Sequence, residues 1–235
     1  MKLEICANSY QSAIHAQEAG AHRIELCSEL QLGGITPSYG LLKLVADNLN
    51  IPSFVLIRPR SGDFNFSPIE YKIMKENILL CKELGFSGIV SGVLHSDNTI
   101  NMERTKALIE LSRPLPFTFH RAFDITPDPY EAIEQLIDLG VDRVLTSGQK
   151  DTAEEGLTLI KDLHEKYGDK ITILAGSGIN PNNVELFKEI GLEEIHTSAS
   201  KKVKSENKKA HCFGKADQTI SNDQIIKDLM NRIFN

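Results

Sequence analysis

Hydrophobic and polar positions along the chain follow two periods in turn. Short runs with alternating or continuous apolar character fall at residues 3–8, 23–27, 53–58, 88–94, 117–123, 143–147, 171–175 and 194–198. Each reads as a strand, because strand side chains alternate between faces. Amphipathic stretches of helical period follow them at 10–19, 39–49, 68–84, 102–111, 129–139, 153–167, 181–190 and 223–233. Gly20, Gly85, Gly140, Gly168 and Gly191 stand at the predicted helix C-termini, and Pro68, Pro129 and Pro181 near predicted helix starts. Helix-to-strand junctions repeat one another: Glu18-Ala-Gly-Ala-His-Arg-Ile-Glu-Leu, Asp138-Leu-Gly-Val-Asp-Arg-Val-Leu and Glu189-Ile-Gly-Leu-Glu-Glu-Ile-His. Eight such units predict one α/β domain over residues 1–235, a (β/α)8 TIM barrel. An open doubly wound sheet is the alternative, although no GxGxxG opens the first helix. Residues 200–221 break the pattern and predict a long irregular Lys-rich loop, with Lys201, Lys202, Lys204, Lys208, Lys209, His211 and Cys212.

Composition narrows the function classes. A net charge of −6 gives no support for nucleic-acid binding. No apolar run approaches the ~20 residues that span a bilayer. The first residues enter a strand pattern directly, so secretion is not indicated and a cytoplasmic location is expected. The four cysteines are scattered without a CxxC pair, which fits reduced thiols.

The chemistry sits where barrels keep it, at the C-terminal strand ends. Leu3-Glu4-Ile5-Cys6 recurs as Ile24-Glu25-Leu26-Cys27. On strands, Glu and Cys of each copy share one face, which predicts two carboxylates in one layer and two thiols in the next. The third strand runs into Arg58-Pro59-Arg60, whose guanidiniums suit a carboxylate or phosphate, or else an ion network with Glu4 and Glu25. The fifth carries His120-Arg121-Ala122-Phe123-Asp124. His120 and His196 suit acid–base work or a structural role. Candidate catalytic groups are thus Glu4, Glu25, Arg58, His120 and Asp124. Candidate anion contacts are Arg58, Arg60, Ser147, Gly148, Gly176, Ser177, Gly178 and Ser198, the last four matching a frequent phosphate site after strands seven and eight. Cys6 and Cys27, on neighbouring strands, suit a soft ion such as Cu(I), or are plain buried thiols.

These stretches together resemble the CutC family of copper homeostasis proteins. The resemblance runs from about residue 1 to 200 and rests on Leu3-Glu-Ile-Cys6, Ala21-His-Arg-Ile-Glu-Leu-Cys27, Gly33-Gly-Ile-Thr-Pro-Ser38, Ile57-Arg-Pro-Arg-Ser-Gly-Asp-Phe64, Gly92-Val-Leu94, Thr118-Phe-His-Arg-Ala-Phe-Asp124, Leu145-Thr-Ser-Gly-Gln149, Ala175-Gly-Ser-Gly178 and His196-Thr-Ser-Ala199. It implies a cytoplasmic barrel, a homo-oligomer such as a dimer or tetramer, and copper handling with Cu(I) at Cys6 and Cys27. Ser61 replaces the first glycine of the family's Gly-Gly-Asp-Phe, and the segment after Ser200 matches the family poorly. Two functions are carried forward: copper binding, and an enzyme acting on a small anionic or phosphorylated metabolite.

Overall fold

The structure, a computed structural model, describes residues 1–203 and 218–234. Eight parallel strands close into a barrel in sequence order: β1 (Lys2–Ala7), β2 (Arg23–Leu26), β3 (Ser53–Leu56), β4 (Gly88–Ser91), β5 (Phe117–Phe119), β6 (Arg143–Thr146), β7 (Thr172–Gly176) and β8 (Glu194–Thr197). The helices α1 (Tyr10–Glu18), α2 (Tyr39–Asn48), α3 (Pro68–Glu83), α4 (Met102–Ser112), α5 (Pro129–Asp138), α6 (Leu157–Tyr167), α7 (Val184–Glu189) and α8 (Asp223–Phe234) follow the strands in turn. The sequence thus forms the TIM barrel its periodicity predicts, and no described helix is long and apolar enough to cross a membrane.

Alternation sorts each strand's side chains. Leu3, Ile5, Ile24, Leu26, Val55, Val144 and Ile195 join the helices in the main core. Their neighbours point inward, where Cys6, Cys27, Phe54, Leu56 and Val90 form a second, smaller apolar cluster. Serine hydroxyls stop several helices from fraying at their starts. Ser9 caps α1, and Ser67 with Glu70 makes a reciprocal cap ahead of Pro68 on α3.

Several predicted boundaries move, each for a local reason. The fifth strand ends at Phe119, because His120 turns to accept a hydrogen bond from the Ala122 N–H and Arg121–Ile125 winds into a 3₁₀ turn. α6 begins at Leu157, four residues late. Thr152 and Glu155 form their own side-chain-to-backbone turn, and Gly156 lies so close to the start of the same loop that a Cβ there would sit 1.9 Å from the Ser147 carbonyl oxygen. α7 begins at Val184, since Asn180 and Asn183 bind the backbone between them. Gly168 closes α6 at φ −62°, unlike the left-handed Gly20, Gly85, Gly140 and Gly191. The segment 200–221 is not irregular at its ends: β9 (Ser200–Val203) and β10 (Gln218–Ser221) pair antiparallel, and Asn8 donates to Thr219. Its middle, including Lys204, Lys208, Lys209, His211 and Cys212, lies outside the described residues.

Candidate functional site

A cavity of about 660 Å³ opens at the C-terminal mouth of the barrel. Cys6, Glu25, Cys27, Arg58, His120 and His196 line it, together with Asp124, Ser177, Gly178 and Ser198. The register decides which groups meet. Cys6 lies level with Glu25 and Glu4 with Arg23, so β2 is shifted by two residues against the repeat. The prediction of two carboxylates in one layer and two thiols in the next is therefore corrected. Glu4 sits one layer below Glu25, and the shift comes from the stagger that closing a barrel demands.

Below the cavity lies a buried ion network. Arg23 Nε donates to Glu4 Oε2, and Arg23 Nη2 donates to Glu194 Oε2 at 2.6 Å. Arg143 Nε also reaches Glu194, at 3.1 Å. The guanidiniums of Arg23 and Arg143 each lie 4.7 Å from the Phe54 ring centroid. The ion network expected between the Arg58 and Arg60 guanidiniums and Glu4 and Glu25 is corrected by this geometry: Arg23 and His196 bind Glu4 instead, and neither Arg58 nor His120 bonds either carboxylate among the described residues. The signal for Arg23, Arg143 and Glu194 was in the repeated junctions. All three stand three residues after the junction glycine, and Glu25 and His196 stand five after it.

At the floor of the cavity the two carboxylates part company. Burial alone would raise the Glu4 carboxyl, but the Arg23 charge and the His196 hydrogen bond, 2.7 Å long, bring it down to about 2. Glu25, without an arginine in contact, is raised by burial to about 7; the His196 charge opposes the rise and Glu4 adds to it. Its nearest charged neighbour is His196 Nδ1 at 3.5 Å. Burial would lower His196, but contacts with Cys6, Glu4 and Glu25 hold it well above the ordinary histidine range. Gly176 leaves room beside Leu145 and that ring, since a Cβ there would lie 2.6 Å from Leu145 Cδ1 and 3.3 Å from His196 Cδ2. Cys6 Sγ lies 3.6 Å from Cys27 Sγ, both buried and unbridged. The Cys27 contact and burial push the Cys6 thiol well up. Cys6, Glu25 and His196 each bring a donor atom within 4.8 Å of the others, a cluster able to hold a metal ion.

The remaining predicted residues divide. Arg58 and His120 line the cavity. Asp124 borders the cavity too, but its carboxylate receives Thr146 Oγ1, the Ser147 and Gln149 N–H groups and Arg121, so it pins the loop after β6. Ser147 and Gly148 belong to that loop and are not among the residues lining the cavity. Arg60 points away, bound to Glu70 at 2.6 Å and Asp63 at 2.9 Å. Ser177, Gly178 and Ser198 edge the mouth, with Ser177 at φ +87° donating to the Asp151 carbonyl.

The CutC family model matches residues 1–201. The chain belongs to the CutC family. The family protein CutC of Bacteroides fragilis is 48% identical over 204 residues, covering 86% of this chain and 81% of that protein. Among solved structures, CutC from Streptococcus agalactiae superposes with a TM-score of 0.80 at 35% identity, covering 84% of this chain and 98% of the other. Thiamine phosphate pyrophosphorylase from Pyrococcus furiosus gives a TM-score of 0.61 at 14% identity over 99% of this chain and 95% of its own, a likeness of fold alone. The CutC match covers Cys6, Glu25, Cys27, Arg58, His120 and His196, and stops before the β9–β10 pair is complete.

Proposed function

We propose that this CutC-family chain is a barrel enzyme that moves a proton on a small anionic metabolite. The observation that carries this reading is the pair of unlike carboxylates at the cavity floor. Glu4 is clamped by Arg23 and His196, whereas Glu25 faces the cavity with no direct hydrogen-bond partner among the described residues. Two like groups whose surroundings drive their proton affinities apart are the usual mark of an acid–base site. Glu25, titrating at about 7, is suited to take a proton from a substrate carbon or oxygen and to return it. His196, kept charged above Glu4, is suited to hold the oxygen on which negative charge develops. The cavity admits a metabolite rather than a polymer. Incubation with a panel of small 2-oxo and 2-hydroxy acids in D2O tests this. Deuterium gained at a carbon next to a carbonyl or hydroxyl supports it, and absence of exchange across the panel counts against it.

A second reading, Cu(I) binding, has its own observation: two thiols 3.6 Å apart beside an imidazole. The donor set fits in kind, because Cu(I) prefers thiolate and imidazole. Protonation opposes it, since Cys6 holds its proton tightly and His196 keeps its charge. Cu(I) uptake must therefore expel protons, and binding should strengthen as pH rises. A competition titration checks this. Cys6→Ser and Cys27→Ser should weaken binding sharply. Cys81→Ser should not, because Cys81 is buried on α3 in the outer core. Equal affinities across the series would return the two thiols to plain core packing.

A further inference from the structure

Arg58 is a buried cation without an acid. Its Nη1 donates to the Leu32 and Gly34 carbonyls at 2.9 and 2.8 Å, and Nη2 to the Gly62 carbonyl at 2.7 Å. No carboxylate of the described residues forms an ion pair with it, and neighbouring Arg60 absorbs Asp63 and Glu70. Carbonyls hold the fork in place but give its charge no contacting counter-ion, Asp63 offsetting it only at a distance, which is costly in a buried site. Among the described residues Arg58 Nε is buried and has no hydrogen-bond partner.

His120 presents a second orphan. Its Nδ1 accepts from the Ala122 N–H at 3.3 Å, which places the ring proton on Nε2. Nε2 is also buried, without a partner among the described residues. One aromatic side chain covers both groups. The Phe64 ring centroid lies 5.0 Å from the Arg58 guanidinium and 4.8 Å from the His120 ring centroid. Phe64 belongs to the exposed loop after β3 and itself lines the cavity. The site also lies next to the cluster at the floor. Arg58 donates to the carbonyl of Gly34, and a Cβ on Gly34 would stand 3.8 Å from Cys27 Sγ, which touches Cys6.

We propose that Arg58 and His120 form a carboxylate subsite, reached when the Phe64 ring turns aside, so that the metabolite carries a carboxylate at this end and its reacting atom over Glu25. This rests on the proton-transfer reading above and narrows its substrate to small carboxylic acids. One guanidinium and one neutral N–H donor match the single charge of a carboxylate. A phosphate dianion would leave half its charge unmet, because the other cation of the loop, Arg60, faces its own acids. His120 stays neutral beside Arg58, as burial first and then the guanidinium charge lower it to about 3, so it donates rather than adding charge.

Pyruvate is the probe, with inorganic phosphate as the competing anion. Protein labelled with 15N-histidine reports the His120 Nε2–H resonance. Pyruvate should shift it saturably, phosphate should leave it in place, and Arg58→Met should weaken pyruvate binding at least about tenfold, the scale of a charge-assisted hydrogen bond. No saturable shift with pyruvate, or a tighter response to phosphate, would overturn the subsite. His120→Gln gives a second variant should Arg58→Met fold poorly, and should likewise weaken pyruvate binding. Deuteration of the pyruvate methyl in D2O separates the two claims. Binding at Arg58 without exchange keeps the subsite and removes the catalytic reading. Exchange undiminished in Arg58→Met does the reverse.

Discussion

Glu4 and Glu25 are one residue type on adjacent strands, and their neighbours give them opposite characters. Glu4 works as part of the frame: with Glu194 it neutralises Arg23. Arg23→Met leaves two buried acids short of a partner, and should cost about 3–5 kcal/mol, the scale for breaking a buried pair. Chemical denaturation of the variant checks this. His120 yields a pH prediction. Its proton affinity is lowered on folding from 6.5 to about 3, so between these pH values the unfolded chain binds the extra proton. Stability contributed by neutral His120 is complete above 6.5 and is lost as pH falls through that window, by about 1.4 kcal/mol per pH unit near pH 5. The groups facing the ring are Arg58, Phe64 and Phe119, and none of them is an acid. Denaturation curves for His120→Gln should show a slope smaller by that amount. An unchanged slope would mean that His120 is protonated in the folded protein.

Elements were legible where a local pattern made them and obscure where distant contacts did. The eight barrel strands and the eight helices all overlap predicted stretches, because alternation and the 3.6-residue period are written in neighbouring residues, whereas the β9–β10 pair was not foreseen. The starts of α6 and α7 were missed because side chains bind backbone in turns that the period does not reveal. The end of β5 depends on the His120 bond to Ala122, and the loop after β6 on Asp124, which comes from the preceding strand's end. Gly148 and Gly156 show backbone packed on backbone: a Cβ on Gly148, at φ +69°, would lie 2.3 Å from the Gly156 carbonyl oxygen. Gly148→Ala should lower the midpoint of thermal unfolding by several degrees, as expected for a loss of about 2 kcal/mol or more. A midpoint unchanged within error would show that this loop moves apart freely.

At the scale of the molecule, closure of the barrel created the site. The motifs named Glu25, Cys6, Cys27, Arg58 and His120 from sequence, but not their layers, because stagger between strands is a property of the closed sheet. Arg23, Glu194 and His196 entered the network by the same stagger; the junction repeats carried their positions, though not their pairing. Family membership supplies the frame for both functional readings, and the cavity floor favours proton transfer. The central claim is that Glu25 moves a proton on a bound metabolite. Deuterium incorporation from D2O into the small-acid panel, compared between the wild type and Glu25→Gln, tests it most directly. The account predicts exchange into at least one acid by the wild type and a fall of about a hundredfold or more in Glu25→Gln, the range for loss of a general base. Exchange at the wild-type rate in Glu25→Gln, or none in the wild type, would contradict it.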